Sequence, residues 1–171
     1  DTLKTRLILY TKGIVNNLDT LHVLVNHWPS KMGGDKASLP KRMIASNTLR
    51  KITDSILLDN TNANIILMGD FNDTPDSEIF GILGSRMDVM GGEQDESSQG
   101  SIKYKGRWEL IDNFLISENF SSGWEFSLFR PSLLLEEDSQ YLGHKPYRTY
   151  IGPRYNGGVS DHLPVYIVRK W

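Results

Sequence analysis

The chain has 171 residues, the size of one ordinary domain and enough to bury a core without disulfides or a structural metal. Hydrophobic residues make up 39% and charged residues 23%, the balance of a globular protein, and no apolar run approaches the roughly 20 residues that a bilayer-spanning helix needs. Nineteen Lys and Arg against 21 Asp and Glu leave a net charge of −2, so the chain as a whole is no polycation built to coat nucleic acid, and the absence of cysteine excludes disulfides, thiolate nucleophiles and thiolate zinc sites.

The first apolar, strand-like run lies at residues 6–10. It follows an Asp1 that is not an initiator Met, with no signal peptide or linker before it, so a cut inside a longer polypeptide is expected. Residues 20–26 are rich in β-branched residues and nearly continuous in apolar character, as in a strand covered on both faces. Pro29 ends that run, and residues 31–36, with the Gly33-Gly34 pair, read as a polar loop. Ser38 and Pro40 suit the first turn of a helix predicted over 40–59. Its Ile44, Ala45, Leu49, Ile52, Ile56 and Leu57 recur at three- and four-residue spacing and form one buried stripe. Residues 64–69 are the next short apolar strand, so the order is a βαβ unit with parallel strands and a right-handed crossover. A short helix is predicted to start at Thr74-Pro75, with Pro at its first position, and Gly81 and Gly84 punctuate it. Residues 91–100 read as an exposed acidic loop, residues 108–116 as a strand with Asp112 inside an apolar run, and residues 164–168 as the last strand. No internal repeat and no domain boundary is visible, so everything belongs to one α/β unit.

Polar groups that interrupt or follow apolar strands carry the chemistry. In open α/β sheets ligands collect beyond the carboxyl ends of the strands, where His27 and Asp70 both fall. Gly69-Asp70-Phe71-Asn72 sets a carboxylate and a carboxamide two residues apart, on one side of the chain if the backbone stays extended. Such a pair suits a hard metal or an attacking water beside a phosphoryl oxygen; the alternative is an Asx turn that merely closes the strand. Asp73 and Asp76 read as turn and cap residues. In Ser160-Asp161-His162, neighbouring strand residues face opposite ways, so a carboxylate other than Asp161 is needed to orient His162. Asp112 is the candidate, because an ionised Asp in an apolar strand requires a partner. Lys31, Lys36, Lys41 and Arg42 follow His27 closely and are either receivers of substrate charge or a solvated loop and helix start.

Gly69-Asp70-Phe71-Asn72 and Ser160-Asp161-His162, with Ile111-Asp112 before Phe114-Leu115-Ile116-Ser117 and residues 25–31, together resemble the endonuclease/exonuclease/phosphatase superfamily of metal-dependent phosphoesterases. Tyr104-Lys105-Gly106-Arg107-Trp108 and Arg148-Thr149-Tyr150-Ile151-Gly152 resemble its bacterial branch. The resemblance implies an α/β fold, part of a four-layer sandwich in which two mixed sheets pack face to face with helices outside. It also implies that residues 1–171 form the later portion of one such domain. The family's principal metal ligand, a Glu ending an earlier strand, and an Asn ending another have no match here, so an N-terminal portion of the same domain is an expected partner.

The resemblance further implies the roles of single residues. Asp70 would help hold the metal and position or deprotonate the attacking water, and Asn72 would hydrogen-bond the scissile phosphate. Asp161 would contact the metal or its waters. His162, oriented by Asp112, would act on the nucleophile or stabilise the pentacoordinate phosphate. His27 would contact a nonbridging oxygen or protonate the leaving oxygen, a pattern similar to the deoxyribonuclease and sphingomyelinase members, and Lys31 and Arg42 would bind substrate. Oxygen ligands without thiolates point to Mg²⁺ or Mn²⁺, with Ca²⁺ as a further alternative. The expected activity is hydrolysis of a phosphate ester by in-line attack of water, with a nuclease-like phosphodiesterase first and nucleic acid as a candidate substrate. A small-molecule or lipid head-group phosphoesterase, or a binding relative without catalysis, stands as the alternative.

Overall fold

Alternation along one strand sets the architecture. In the computed structural model, which describes residues 6–15, 20–84, 86–92 and 99–170, Ile65 and Leu67 bury on one face of a sheet and Ile66 and Met68 on the other. Both faces of this strand are therefore covered, which is why its sequence is a continuous apolar run.

The chain runs β1 (Leu9–Ile14), β2 (Thr20–His27), α1 (Asp35–Asp59), β3 (Asn64–Asp70), α2 (Glu78–Gly81), β4 (Met87–Val89), β5 (Ile102–Tyr104), β6 (Arg107–Glu109) and β7 (Asp112–Ser117). It continues through β8 (Trp124–Leu128), β9 (Leu135–Glu137), β10 (His144–Pro146), β11 (Tyr150–Ile151), β12 (Arg154–Tyr155) and β13 (Val165–Arg169). Five strands form one mixed sheet in the order β1-β2-β3-β7-β4, in which β2 and β3 are parallel, with α1 between them in sequence, and β3 and β7 antiparallel. Helix α1 covers one face through Ala45, Leu49 and Leu57, which pack with Leu24, Ile65, Leu67 and Leu115. The antiparallel ribbon β8-β13 covers the other, where Phe126, Val165 and Ile167 meet Ile66, Phe114 and Ile116. The described residues thus make three layers of helix, sheet and ribbon.

Beyond the first strand, which runs Leu9–Ile14 and not over 6–10, three predicted elements differ in detail. Helix α1 begins at Asp35, five residues before the predicted start, with Pro40 inside it. The extra turn is held by the Ser38 hydroxyl, which donates to the Gly34 and Asp35 carbonyls, and by a bond from Arg42 to the Asp35 carboxylate. The buried stripe is Ser38, Arg42, Ala45, Ser46, Leu49, Thr53 and Leu57, whereas Ile44 is 38% exposed. Polar groups enter the stripe because each finds a partner; the Ser46 hydroxyl, for example, donates to the Ile79 carbonyl at 2.6 Å. Helix α2 starts at Glu78, because Thr74 and Ser77 first close a turn through a 3.0 Å backbone bond. The run at 108–116 is two strands, since Ile111 leaves the ladder to accept a 2.9 Å bond from the Phe71 amide. Of the predicted acidic loop, residues 93–98 lie outside the described residues.

Gly69 allows β2 and β3 to close at their carboxyl ends. Its φ is +133°, and a Cβ built there would lie 1.9 Å from the Asn26 carbonyl oxygen. Gly69→Ala is therefore expected to cost at least about 3 kcal/mol, read as a lowered midpoint of urea unfolding.

Candidate active site

Strand register brings the first three side chains together. His27 is opposite Asp70 in the parallel β2-β3 ladder, and Asp70 is opposite Asp112 in the antiparallel β3-β7 ladder, so the three form one row across adjacent strands. His27 Nε2 lies 3.4 Å from Asp70 Oδ2. His162 reaches the end of the row from the segment before β13, its Nδ1 2.7 Å from Asp112 Oδ2. Nδ1 is thereby the protonated donor, and Nε2 is left for other chemistry. One ligand atom each from Asp70, Asp112 and His162 lie within 4.8 Å of one another.

The chain beyond β3 does not stay extended. Asn72 takes φ 52°, its amide donates to Asp70 Oδ1 at 2.8 Å, and its Nδ2 donates to Asp70 Oδ2 and the Trp28 carbonyl, both at 2.9 Å. The Asx turn and the polar pair are thus the same feature. Because both partners of Nδ2 are acceptors, the orientation of the amide is settled, and Asn72 meets a phosphoryl oxygen only by releasing one of them. In this geometry it is a strut for Asp70.

Lys31 and Arg42, expected to bind substrate, both meet Asp73, Arg42 from the interior and Lys31 with its side chain 35% exposed. Arg42 is fully buried; it donates to Asp73 Oδ2 at 3.0 Å, to Ser38 Oγ at 2.8 Å and to Asp35. Lys31 Nζ sits 2.9 Å from the other Asp73 oxygen. Asp73, read in the sequence as a turn residue, is therefore the buried anion that ties the loop after β2, helix α1 and the turn after Asp70 together. A guanidinium among apolar side chains demands such partners, and it finds them where the site needs rigidity. Asp161 is exposed and stands outside the group formed by Asp70, Asp112 and His162.

Ser101 escaped the sequence reading altogether. It is fully buried, its hydroxyl accepts the Ile111 and Asp112 amides at 3.3 and 3.2 Å, and its carbonyl accepts the Leu163 amide at 2.7 Å. One residue thus fixes the backbones on both sides of the Asp112-His162 bond. Nothing in the local sequence marks it, because the contact spans 10 residues one way and about 60 the other.

The electrostatics follow from crowding and burial. Burial raises the Asp70 pKa above the ordinary carboxylate value, and the Asp112 charge adds to this against the Asn72 amide and the two imidazoles. Burial opposes the His162 imidazolium, but the hydrogen bond and charge of Asp112, with Asp70 and Asp161, outweigh it and raise its pKa. Two carboxylates and an imidazole make a donor set that fits an oxygen-seeking divalent cation. With His162 Nδ1 and Asp112 Oδ2 engaged by each other, Asp112 Oδ1, His162 Nε2 and the remaining lone pairs of the Asp70 oxygens are the donors left to it.

The Endonuclease/Exonuclease/phosphatase family profile matches residues 1–170, and the chain belongs to that family. No curated protein sequence gives a significant match. Among solved structures, the chain is similar to sphingomyelinase C from Streptomyces griseocarneus, at 16% identity and a TM-score of 0.61 over 94% of this chain and 56% of that one. It is also similar to truncated TDP2 of Caenorhabditis elegans, at 14% identity and a TM-score of 0.60 over 94% and 57%. A mannosyl-6-phosphatase of Bacteroides thetaiotaomicron aligns at 14% identity and a TM-score of 0.50 over 89% and 51%. The likeness is one of fold, and the chain spans little more than half the length of each.

Two outcomes follow. Arg42→Ala is expected to destabilise by about 3–5 kcal/mol in urea unfolding, because Asp73 is left buried and half-paired, and Arg42→Lys recovers only part, since a single nitrogen cannot take the places of the three guanidinium nitrogens that meet Asp73, Ser38 and Asp35. Because the folded pKa of His162 is raised, its contribution to stability is full below the ordinary imidazole value near 6.5 and is lost as pH rises through the raised value. Asp112→Asn is expected to move the His162 titration, followed by NMR, to lower pH and to shrink that loss.

Proposed function

We propose that this chain carries most of the catalytic side chains of a divalent-metal-dependent phosphoesterase, one that hydrolyses a phosphodiester in a nuclease-like manner by in-line attack of water. The observation that carries this reading is the row His27-Asp70-Asp112 with His162 closing it, all at the carboxyl-end rim of β2 and β3. Structures of similar fold include a sphingomyelinase C and a mannosyl-6-phosphatase, which supports phosphate-ester chemistry on this scaffold.

A phosphodiester is shielded by its own charge, so its hydrolysis needs a cation over the phosphoryl oxygens, an oriented water and a proton donor for the leaving oxygen. Mg²⁺ or Mn²⁺ held by Asp70, with Asp161 reaching it through water, would neutralise the phosphoryl charge. Asp70 is steadied by Asn72 and orients the attacking water. Asp112 holds His162 with Nε2 outward as a cationic or neutral imidazole, fitted to stabilise the crowded phosphorus centre or to move a proton. His27 is 58% exposed and close to Asp70, where an imidazolium donates to a nonbridging or a leaving oxygen.

The test is hydrolysis of bis-p-nitrophenyl phosphate and of oligonucleotides by the polypeptide encoded by the full reading frame containing this chain. Asp70→Ala and His162→Ala are each expected to lower kcat at least about 10²-fold, and EDTA to abolish turnover, with Mg²⁺ or Mn²⁺ restoring it. Activity within a few-fold of wild type in both variants overturns the assignment.

A further inference from the structure

Charge is unevenly spread along this mildly acidic chain. Residues 99–108 and 139–160 hold six of the 19 Lys and Arg, five of the seven Tyr and none of the 21 Asp and Glu, although 32 residues at the chain average carry about four acids. The fold brings the two segments together, with β10 against β5. Between them lies a cleft of about 270 Å³ whose walls include Tyr104, Lys105, Tyr141, Lys145 and Arg148.

We propose that this cleft binds one unit of a single-stranded nucleic acid, with a base against Tyr104 or Tyr141 and the backbone phosphates on Lys105 and Arg148. The side chains divide into a floor and a rim. Lys103 is buried against Asp138 at 2.9 Å and donates to the Leu142 carbonyl at 2.8 Å, and Lys145 lies 3.8 Å from Glu136, so these two cations are matched by the cleft's two acids. Among the described residues, Lys105 and Arg148 have no carboxylate partner, which leaves the lining with a surplus of two positive charges. Lys105 Nζ stands 5.3 Å from the centre of the Tyr104 ring, so a cation and an aromatic face are presented side by side. Tyr104 is 58% and Tyr141 44% exposed. The Tyr141 ring is braced by the turn at Gly106, whose φ of +83° and lack of Cβ let it come this near.

Base faces of a single strand are open to stacking, whereas a duplex hides them, and alternating aromatic and cationic groups are what holds such a strand. The cleft is smaller than the roughly 300–1,000 Å³ of a site that encloses a whole small molecule, and it is open, as suits one unit of a longer chain. It also adjoins the row of site residues. Lys103 is two extended residues, about 7 Å, from Ser101, whose hydroxyl accepts the Asp112 amide. Tyr147, next to Arg148, accepts the Val159 and Ser160 amides just before Asp161-His162. That the bound strand leads to the scissile phosphate rests on the phosphodiesterase reading above, but binding itself does not.

The experiment is fluorescence anisotropy of a 5′-fluorescein-labelled 12-mer of thymidylate titrated with the full chain in EDTA, where hydrolysis is stopped. Salt-dependent binding is expected, weakened about 5-fold or more by Tyr104→Ala but kept within about 2-fold by Tyr104→Phe. Lys105→Ala and Arg148→Ala are each expected to weaken it and to reduce the log–log salt slope by about 0.7, while Lys51→Ala, the same charge removed from helix α1, leaves it unchanged. No binding at 50 mM salt overturns the proposal. So does equal affinity for an abasic strand or a duplex of the same length, or binding only to phosphatidylserine vesicles. Retained oligonucleotide binding in a protein without metal-dependent hydrolysis overturns the catalytic reading alone; hydrolysis without this binding overturns the cleft alone.

Discussion

The register of three neighbouring strands is the constraint on which the site depends. Because His27 pairs with Asp70 and Asp70 with Asp112, three ionisable side chains are held about one inter-strand spacing apart on one edge of the sheet. A slip of one residue in either ladder would turn every side chain of a strand to the opposite face and expose the Ile65-Leu67 set that α1 covers. The hydrophobic effect that packs the helix and the ribbon on the two faces of β3 is therefore also what places the carboxylates. Gly69 supports this arrangement, since the backbone of β2 approaches it more closely than any side chain permits.

Crowding two carboxylates in a half-buried row is unfavourable, and the surrounding structure offsets it with directed bonds. Asn72 supplies two donors to Asp70, His162 one to Asp112, and Ser101 anchors the strand start and the Leu163 backbone. Behind them Asp73 binds Arg42 and Lys31. Both cations are thus engaged by a carboxylate of the frame. The Tyr104-Lys105 turn and the Tyr141–Arg148 segment, by contrast, line a cleft that holds four cations against two acids, Glu136 and Asp138.

The Asp112-His162 pair and Asp70 affect one another through space. Each carboxylate raises the imidazolium's pKa, and the Asp112 charge adds to the cost of ionising Asp70. A divalent cation at Asp70 would relieve the repulsion between the carboxylates and withdraw support from the imidazolium at the same time. Metal affinity and the protonation state of His162 are consequently linked in this arrangement.

Much of this was legible in the residues themselves. The apolar runs of β2 and β3, the helix between them and the parallel pairing follow from local periodicity and chain connectivity, and four short motifs in order identified the family. The partnership of Asp112 with His162 was also legible, because a carboxylate in an apolar run needs a partner and Asp161 faces the wrong way. What the sequence did not disclose depends on contacts between distant residues. Arg42 and Lys31 looked like surface charge until the turn at Asp73 was brought beneath them, Ser101 had no local signal, and Asn72 entered a left-handed turn in place of an extended run. Periodicity and composition record which side chains must leave water; only the closed tertiary structure decides which buried polar groups then satisfy one another, because hydrogen bonds are directional and their partners come from anywhere in the chain.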